Sequence, residues 1–133
     1  MNPKDHYQKI IQGITDIDAR RVARALTAHI GKENSIDKRT LVMFIYGKYT
    51  STTERQVRDI VADLVTNYRY PVCTSSSTGG YWIAANKDEA IEAARDIESR
   101  ITDLSDRAKA LRSCDLPAVL PDERARAAQG SLL

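Results

Sequence analysis

Apolar residues recur along the first seventy positions with the spacing of amphipathic helices. Tyr7, Ile10, Ile11 and Ile14 predict a short helix over residues 4–14, ending near Gly13. Thr15 and Asp18 form a Thr-x-x-Asp capping signal, after which Val22, Leu26 and Ile30 align on one face with Ala23 and Ala25 beside them. Gly31 is the expected stop of that helix. Arg20, Arg21 and Arg24 cannot all share the buried face, so they are predicted to point outward. Ser35 and Asp37 open a third helix with Leu41, Val42, Phe44 and Ile45 as its apolar stripe and Gly47 as its close. Ser51-Thr52-Thr53-Glu54 reads as a capping box, and Val57, Ile60, Val61, Leu64 and Val65 then follow the i, i+3, i+4, i+7 rule.

The pattern changes at Tyr70-Pro71. Proline biases its predecessor away from helix, and Val72-Cys73-Thr74 is short and β-prone. Ser75 to Gly80 supplies a turn, and Tyr81-Trp82-Ile83-Ala84 a returning strand, so residues 71–86, which contain no charge, predict a two-stranded hairpin. Alternation on that strand puts one of Tyr81 and Trp82 in the core and leaves the other partly exposed. From Lys87 to about Cys114 the chain turns helical again. Ala90, Ala94, Ile97, Ile101, Leu104, Ala108 and Leu111 step by fours and threes, an a/d heptad series whose first part, with Ile91, can pack back on the domain. Beyond Asp115 the chain reads as a loose tail. The organisation expected is a domain over 1–86, a long helix over 87–114 and a tail over 115–133.

Composition narrows the function. A chain of 133 residues, 42% hydrophobic, suits one compact domain with an appendage. No apolar run approaches the ~20 residues that span a bilayer, and the first residues are polar where a signal peptide turns apolar. Cys73 and Cys114 build no disulfide framework, which predicts a reducing, cytoplasmic setting. Net charge is only +2, but residues 1–86 hold 12 Lys/Arg against 8 Asp/Glu, while residues 87–133 hold 8 against 10. The basic excess belongs to the first two-thirds. Catalytic signals are missing: His6 and His29 have no second ligand at metal-binding spacing, and no phosphate-loop or nucleophile-elbow motif occurs. Gly79-Gly80 is not followed by a helix, so a hairpin turn accounts for it. No enzyme, metal or cofactor is expected.

The order helix, helix, turn, capped helix, hairpin over residues 35–84 resembles the winged helix-turn-helix of biotin-repressor-type regulators and of small phage- or prophage-encoded DNA-binding proteins. The likeness lies in Glu54-Arg55-Gln56-Val57-Arg58-Asp59-Ile60-Val61-Ala62-Asp63-Leu64, in Tyr70-Pro71-Val72 and in Gly79-Gly80-Tyr81-Trp82-Ile83-Ala84. It implies an α+β, mainly α, fold in which residues 52–68 form a recognition helix. Ser51, Thr52, Thr53, Arg55, Gln56, Arg58 and Asp59 would then face a DNA groove, where Arg can bridge guanine and Gln adenine. Arg20, Arg21, Arg24, Lys38, Arg39 and Lys48 are the candidate phosphate contacts, which position without specifying. The wing, Ser75, Ser76, Ser77 and Thr78, carries no Lys or Arg and offers only hydroxyls and amides. Against this reading, Arg55 and Arg58 can simply pair with Glu54, Asp59 or Asp63 on a solvated face. The seam Ile97, Ile101, Leu104, Ala108 and Leu111 is expected to join two copies, which would double the basic surface. The expected partner is double-stranded DNA in a cytoplasm, the host's if the chain is phage-encoded. The competing expectation is an adaptor that binds a host or replication protein and no DNA.

Overall fold

The computed structural model describes residues 2–75 and 79–117. It is mainly helical with a small antiparallel sheet, an α+β architecture in which α predominates. The chain divides into a unit of residues 1–99 and a second of residues 100–133.

The helices begin where side chains replace missing backbone partners. α1 (Pro3–Gln12) starts with the Asn2 carboxamide accepting the Lys4 amide and with proline in its first turn. α2 (Ile17–Leu26) is capped by Asp16, which accepts the Ala19 amide at 2.8 Å. Neither Thr15 nor Asp18 is the cap; Asp18 lies in the first turn and pairs with Arg21 at 3.8 Å. The helix stops at Leu26, short of the expected Ile30, because the following residues join the sheet. Ile83 donates its amide to the His29 carbonyl and accepts the Gly31 amide, each at 2.8 Å. His29 therefore sits beyond the helix end, with Nδ1 donating to the Asn34 carbonyl at 2.8 Å.

After a 3-10 turn at Lys32–Asn34, a two-residue strand β1 (Ile36–Asp37) leads into α3 (Lys38–Tyr46), capped by Asp37. Gly47 closes α3 in the left-handed conformation (φ 72°) that a residue without Cβ adopts freely. Only Leu41, Val42 and Ile45 of the expected stripe are buried; Phe44 lies a turn-fraction off that face and is 68% exposed. α4 (Ser51–Tyr68) is capped one residue earlier than the Ser-x-x-Glu pattern suggests. Thr50 is the N-cap, and Thr50 and Thr53 satisfy each other's amides. Val57, Val61 and Leu64 face the core, Ile60 packs on its edge and Val65 turns to solvent. α4 ends at Arg69, which is left-handed (φ 54°), with the Tyr70 amide returning to the Leu64 carbonyl at 3.0 Å.

The expected hairpin is part of a three-stranded sheet. β2 (Val72–Thr74) and β3 (Gly80–Ile83) pair antiparallel, and β1 adds to the other edge of β3, giving the order β1-β3-β2. Both faces of this sheet are covered. Val72, Tyr81 and Ile83 join the main core, made with α1 to α4, whereas Cys73, Trp82 and Ala84 form a second cluster against Ala90 and Ala93. Tyr81 and Trp82 are therefore both buried, and neither is the partly exposed residue that a one-sided sheet would require. Two tyrosines tie the layers: Tyr70 donates to the Ala23 carbonyl at 2.7 Å and Tyr7 to that of Ala84.

α5 (Lys87–Arg112) is one helix of 26 residues. Within the first unit it docks through Ala90 and Ala93, while Ala94 and Ile91 are exposed, so the contacting stripe is not the a/d series read from sequence. Ile97 of the first unit is also exposed. In the second unit, Ile101, Leu104 and Leu111 are exposed and Ala108 is half-buried. No helix among the described residues is long and apolar enough to cross a membrane.

Candidate nucleic-acid interface

The start of α4 presents four polar side chains in one stripe. Thr52, Arg55, Gln56 and Asp59 are spaced i, i+3, i+4, i+7 and all are exposed, as are Ser51 and Arg58. Neither Arg55 nor Arg58 forms an ion pair or hydrogen bond among the described residues, so the pairing with Glu54, Asp59 or Asp63 is not made. Glu54 is turned elsewhere: its carboxylate accepts the Tyr49 hydroxyl at 3.0 Å.

Thr53 does not belong to that face. It is 2% exposed, and its Oγ1 donates to the Lys48 carbonyl at 3.1 Å while accepting the Thr50 amide at 2.9 Å. The residue assigned to the groove instead fastens the α3–α4 connection. Ser51, the first residue of the helix, makes no side-chain hydrogen bond among the described residues.

A cluster that the sequence did not signal lies beside this helix start. The Lys38 ammonium is 5.8 Å from the Tyr81 ring centroid, and the Arg39 guanidinium is 5.5 Å from that of Tyr49. The Tyr81 phenol is pushed above its ordinary pKa chiefly by burial; Arg58 pulls it down, while Glu54 and Tyr49 raise it further. The Tyr49 phenol is raised too, first by its hydrogen bond to Glu54. The first residues of α3, the start of α4 and the sheet edge thus lie within electrostatic reach of one another. Between Asp37 and Asp59 the sequence carries five cations and three carboxylates, an excess of two positive charges on this region. Only the folded chain brings Lys38 to Tyr81, across more than forty residues, so no local spacing could have announced it.

The remaining basic candidates separate into two kinds. Arg24, Arg39 and Lys48 are exposed. Arg20 and Arg21 are occupied within the fold: Arg20 donates to the Ile14 carbonyl at 2.9 and 2.6 Å, and Arg21 to that of Ile45 at 2.7 Å. Arg20 ties the α1–α2 connection and Arg21 holds the end of α3, which gives both a structural task. Of the wing, Ser75 is half-buried, and Ser76, Ser77 and Thr78 lie outside the described residues. Among the described residues no group of three or more His, Cys, Asp or Glu is assembled that could hold a metal ion. No family model, curated protein or solved structure matches the chain at a significant level.

Proposed function

We propose that the chain is a winged helix-turn-helix protein that binds double-stranded DNA, as a transcriptional regulator or a phage-type replication or regulatory factor. The observation that carries this reading is the exposed start of α4, where Arg55 and Gln56 stand side by side with no partner among the described residues. A cation left unpaired on a well-capped helix can turn to a base edge without first breaking an ion pair. The order of helix, short strand, helix, capped helix and hairpin supports the same reading. Lys38, Arg39 and Lys48, with Arg24, supply the phosphate contacts, and two copies joined through α5 would double them.

The test is selection of bound duplexes from a random DNA library, followed by titration of the enriched site at several salt concentrations. Enrichment of a sequence is expected, with log K falling against log salt at a slope of about −0.9 per phosphate neutralised. An unenriched pool together with a flat salt dependence overturns the proposal. It would leave the second reading, a protein-binding adaptor, whose specific support is Phe44, exposed beside Arg21 and Arg24 around a shallow depression. That combination suits an acidic partner with an apolar anchor.

A further inference from the structure

The sheet face that α5 covers is not completely filled. Beyond the contact of Trp82 with Ala90 and Ala93, a cavity of about 360 Å³ remains, within the small end of the range for ligand pockets. Trp82 and Ala93 form its apolar wall, Thr74 and Ser75 border it, and the charged groups are Lys32, Glu89, Glu92, Arg95 and Asp96.

Trp82 is 3% exposed, and its buried Nε1–H finds no acceptor among the described residues. A buried donor without an acceptor is unfavourable, and native folds almost always supply a partner. Two of the carboxylates nearby are engaged. Glu89 accepts the Ala85 amide at 3.3 Å as part of the α5 cap, and Glu92 pairs with Lys32 at 3.6 Å. The Lys32 ammonium also stands 6.0 Å from the Trp82 ring centroid. The Arg95 guanidinium makes no ion pair or hydrogen bond among the described residues. Trp82 Nε1–H and the Arg95 guanidinium are thus two donors still open in this cavity. They call for an acceptor.

Charge restricts what can bring that acceptor. Three carboxylates face two cations here, so a bare anion meets a net negative lining. A bare cation suits the carboxylates but cannot accept the indole proton. A small zwitterion satisfies both, its carboxylate towards Trp82 and Arg95 and its ammonium towards Glu89 and Glu92. The Trp82 ring and Ala93 leave an apolar wall for a side chain. We propose that this cavity binds a free α-amino acid. The proposal stands independently of whether α4 reads DNA.

Trp82 is the chain's one tryptophan, so its emission reports on the cavity directly. The experiment titrates the full chain with each free L-amino acid, and with acetate and methylammonium as single-charge controls. A saturable emission change is expected with at least one amino acid below about 10 mM, and with neither control at the same concentration. Arg95→Gln, at an exposed position, should weaken that binding about tenfold or more, since a charge-assisted bond is lost. Trp82→Phe, followed by calorimetry, should weaken it as well, because the N–H donor is lost while an aromatic ring remains on the wall. The proposal is overturned if no amino acid saturates the signal, if acetate or methylammonium alone matches it, or if both variants bind as the parent chain does.

Discussion

At Gly80 the sheet leaves no room for a side chain. A Cβ there would lie 2.8 Å from the Ile36 carbonyl oxygen, a backbone atom that cannot swing aside without breaking the β1–β3 pairing. Gly80→Ala is therefore expected to destabilise the fold by about 1–3 kcal/mol, measured by denaturant unfolding. Full retention of stability would mean that β1 contributes nothing. Thr53 is the second such position. Thr53→Ala removes the hydroxyl that accepts the Thr50 amide and donates to the Lys48 carbonyl and should cost about 1–2 kcal/mol, whereas Thr52→Ala, one residue earlier and exposed, should change stability by less than about 0.5 kcal/mol. The pair of substitutions separates a residue that holds α4 from one that decorates it. Cys73 makes a pH prediction. Burial, with Glu89 nearby, pushes its thiol from about 9 up to about 11, so the folded chain keeps the proton that the unfolded chain releases earlier. Folding then favours the neutral thiol fully below pH 9, and this contribution is lost as pH rises towards 11. The Tyr7, Tyr70 and Tyr81 phenols are raised in the same sense, mainly by burial. Melting temperature should fall steeply between pH 9 and 11, with roughly 2 kcal/mol from Cys73 alone. Cys73→Ala should flatten part of that fall, and an unchanged profile would show that the thiol does not titrate with folding.

At the scale of elements, α4 does two things with opposite faces, and they can be separated by mutation. Val57, Val61 and Leu64 hold it to the core, while Arg55 and Gln56 face solvent. Arg55→Ala and Gln56→Ala are expected to leave unfolding midpoints unchanged and to remove about 1–3 kcal/mol of discrimination between the preferred duplex and its single-base variants. Arg39→Ala should instead weaken every duplex alike and lower the salt slope by about one. Equal loss across all sequences for Arg55 and Gln56 would reduce them to phosphate contacts. The helices of this region were legible because each carries its apolar stripe and a capping side chain at its start. What was not legible came from tertiary pairing. Ile36-Asp37 is too short to show the period of a strand, and it becomes one only because Gly80 and Tyr81 lie opposite. The same pairing drew His29 to Gly31 out of α2. Thr50 and Ser51 are both good caps in adjacent positions, and the choice between them fell to Thr53, whose hydroxyl also reaches the Lys48 carbonyl. Of the candidate site, the Arg55-Gln56 face was readable from helical geometry alone. The Lys38–Tyr81 and Arg39–Tyr49 contacts were not, since they join separate elements.

At the scale of the whole molecule, the second half of α5 is expected to set how many copies act together. Ile97, Ile101, Leu104 and Leu111 are between 48% and 74% exposed and fall on one a/d seam. Such a stripe on an isolated helix leaves apolar area in water, and a second copy of the same repeat would cover it by knobs-into-holes packing. The margins decide the direction. With Ile101 and Ala108 at a and Ile97, Leu104 and Leu111 at d, Glu98, Ser105 and Arg112 occupy e, and Arg100 and Arg107 occupy g. A parallel pair would set Arg107 against Arg112 of the partner subunit on both sides, a repulsion. An antiparallel pair that layers Ile101 against Leu111 of the partner subunit sets Glu98 against Arg112 of the partner subunit twice, at the cost of one Arg107 pair on the axis. The expected assembly is thus an antiparallel, isologous dimer, whose two-fold axis matches an inverted-repeat DNA site with half-sites about 34–36 Å apart or a multiple of it. Linking two weakly bound domains in this way raises affinity through effective concentration. Sedimentation equilibrium at micromolar concentration should return a dimer for the parent chain and a folded monomer for the double substitution Ile101→Asp, Leu104→Asp, with DNA binding weakened in the monomer. Glu98→Arg distinguishes the two directions, because it repels only in the antiparallel pair, where a weaker dimer is expected. A parent chain that sediments as a monomer at moderate salt would sink the dimer and leave the seam to some other partner.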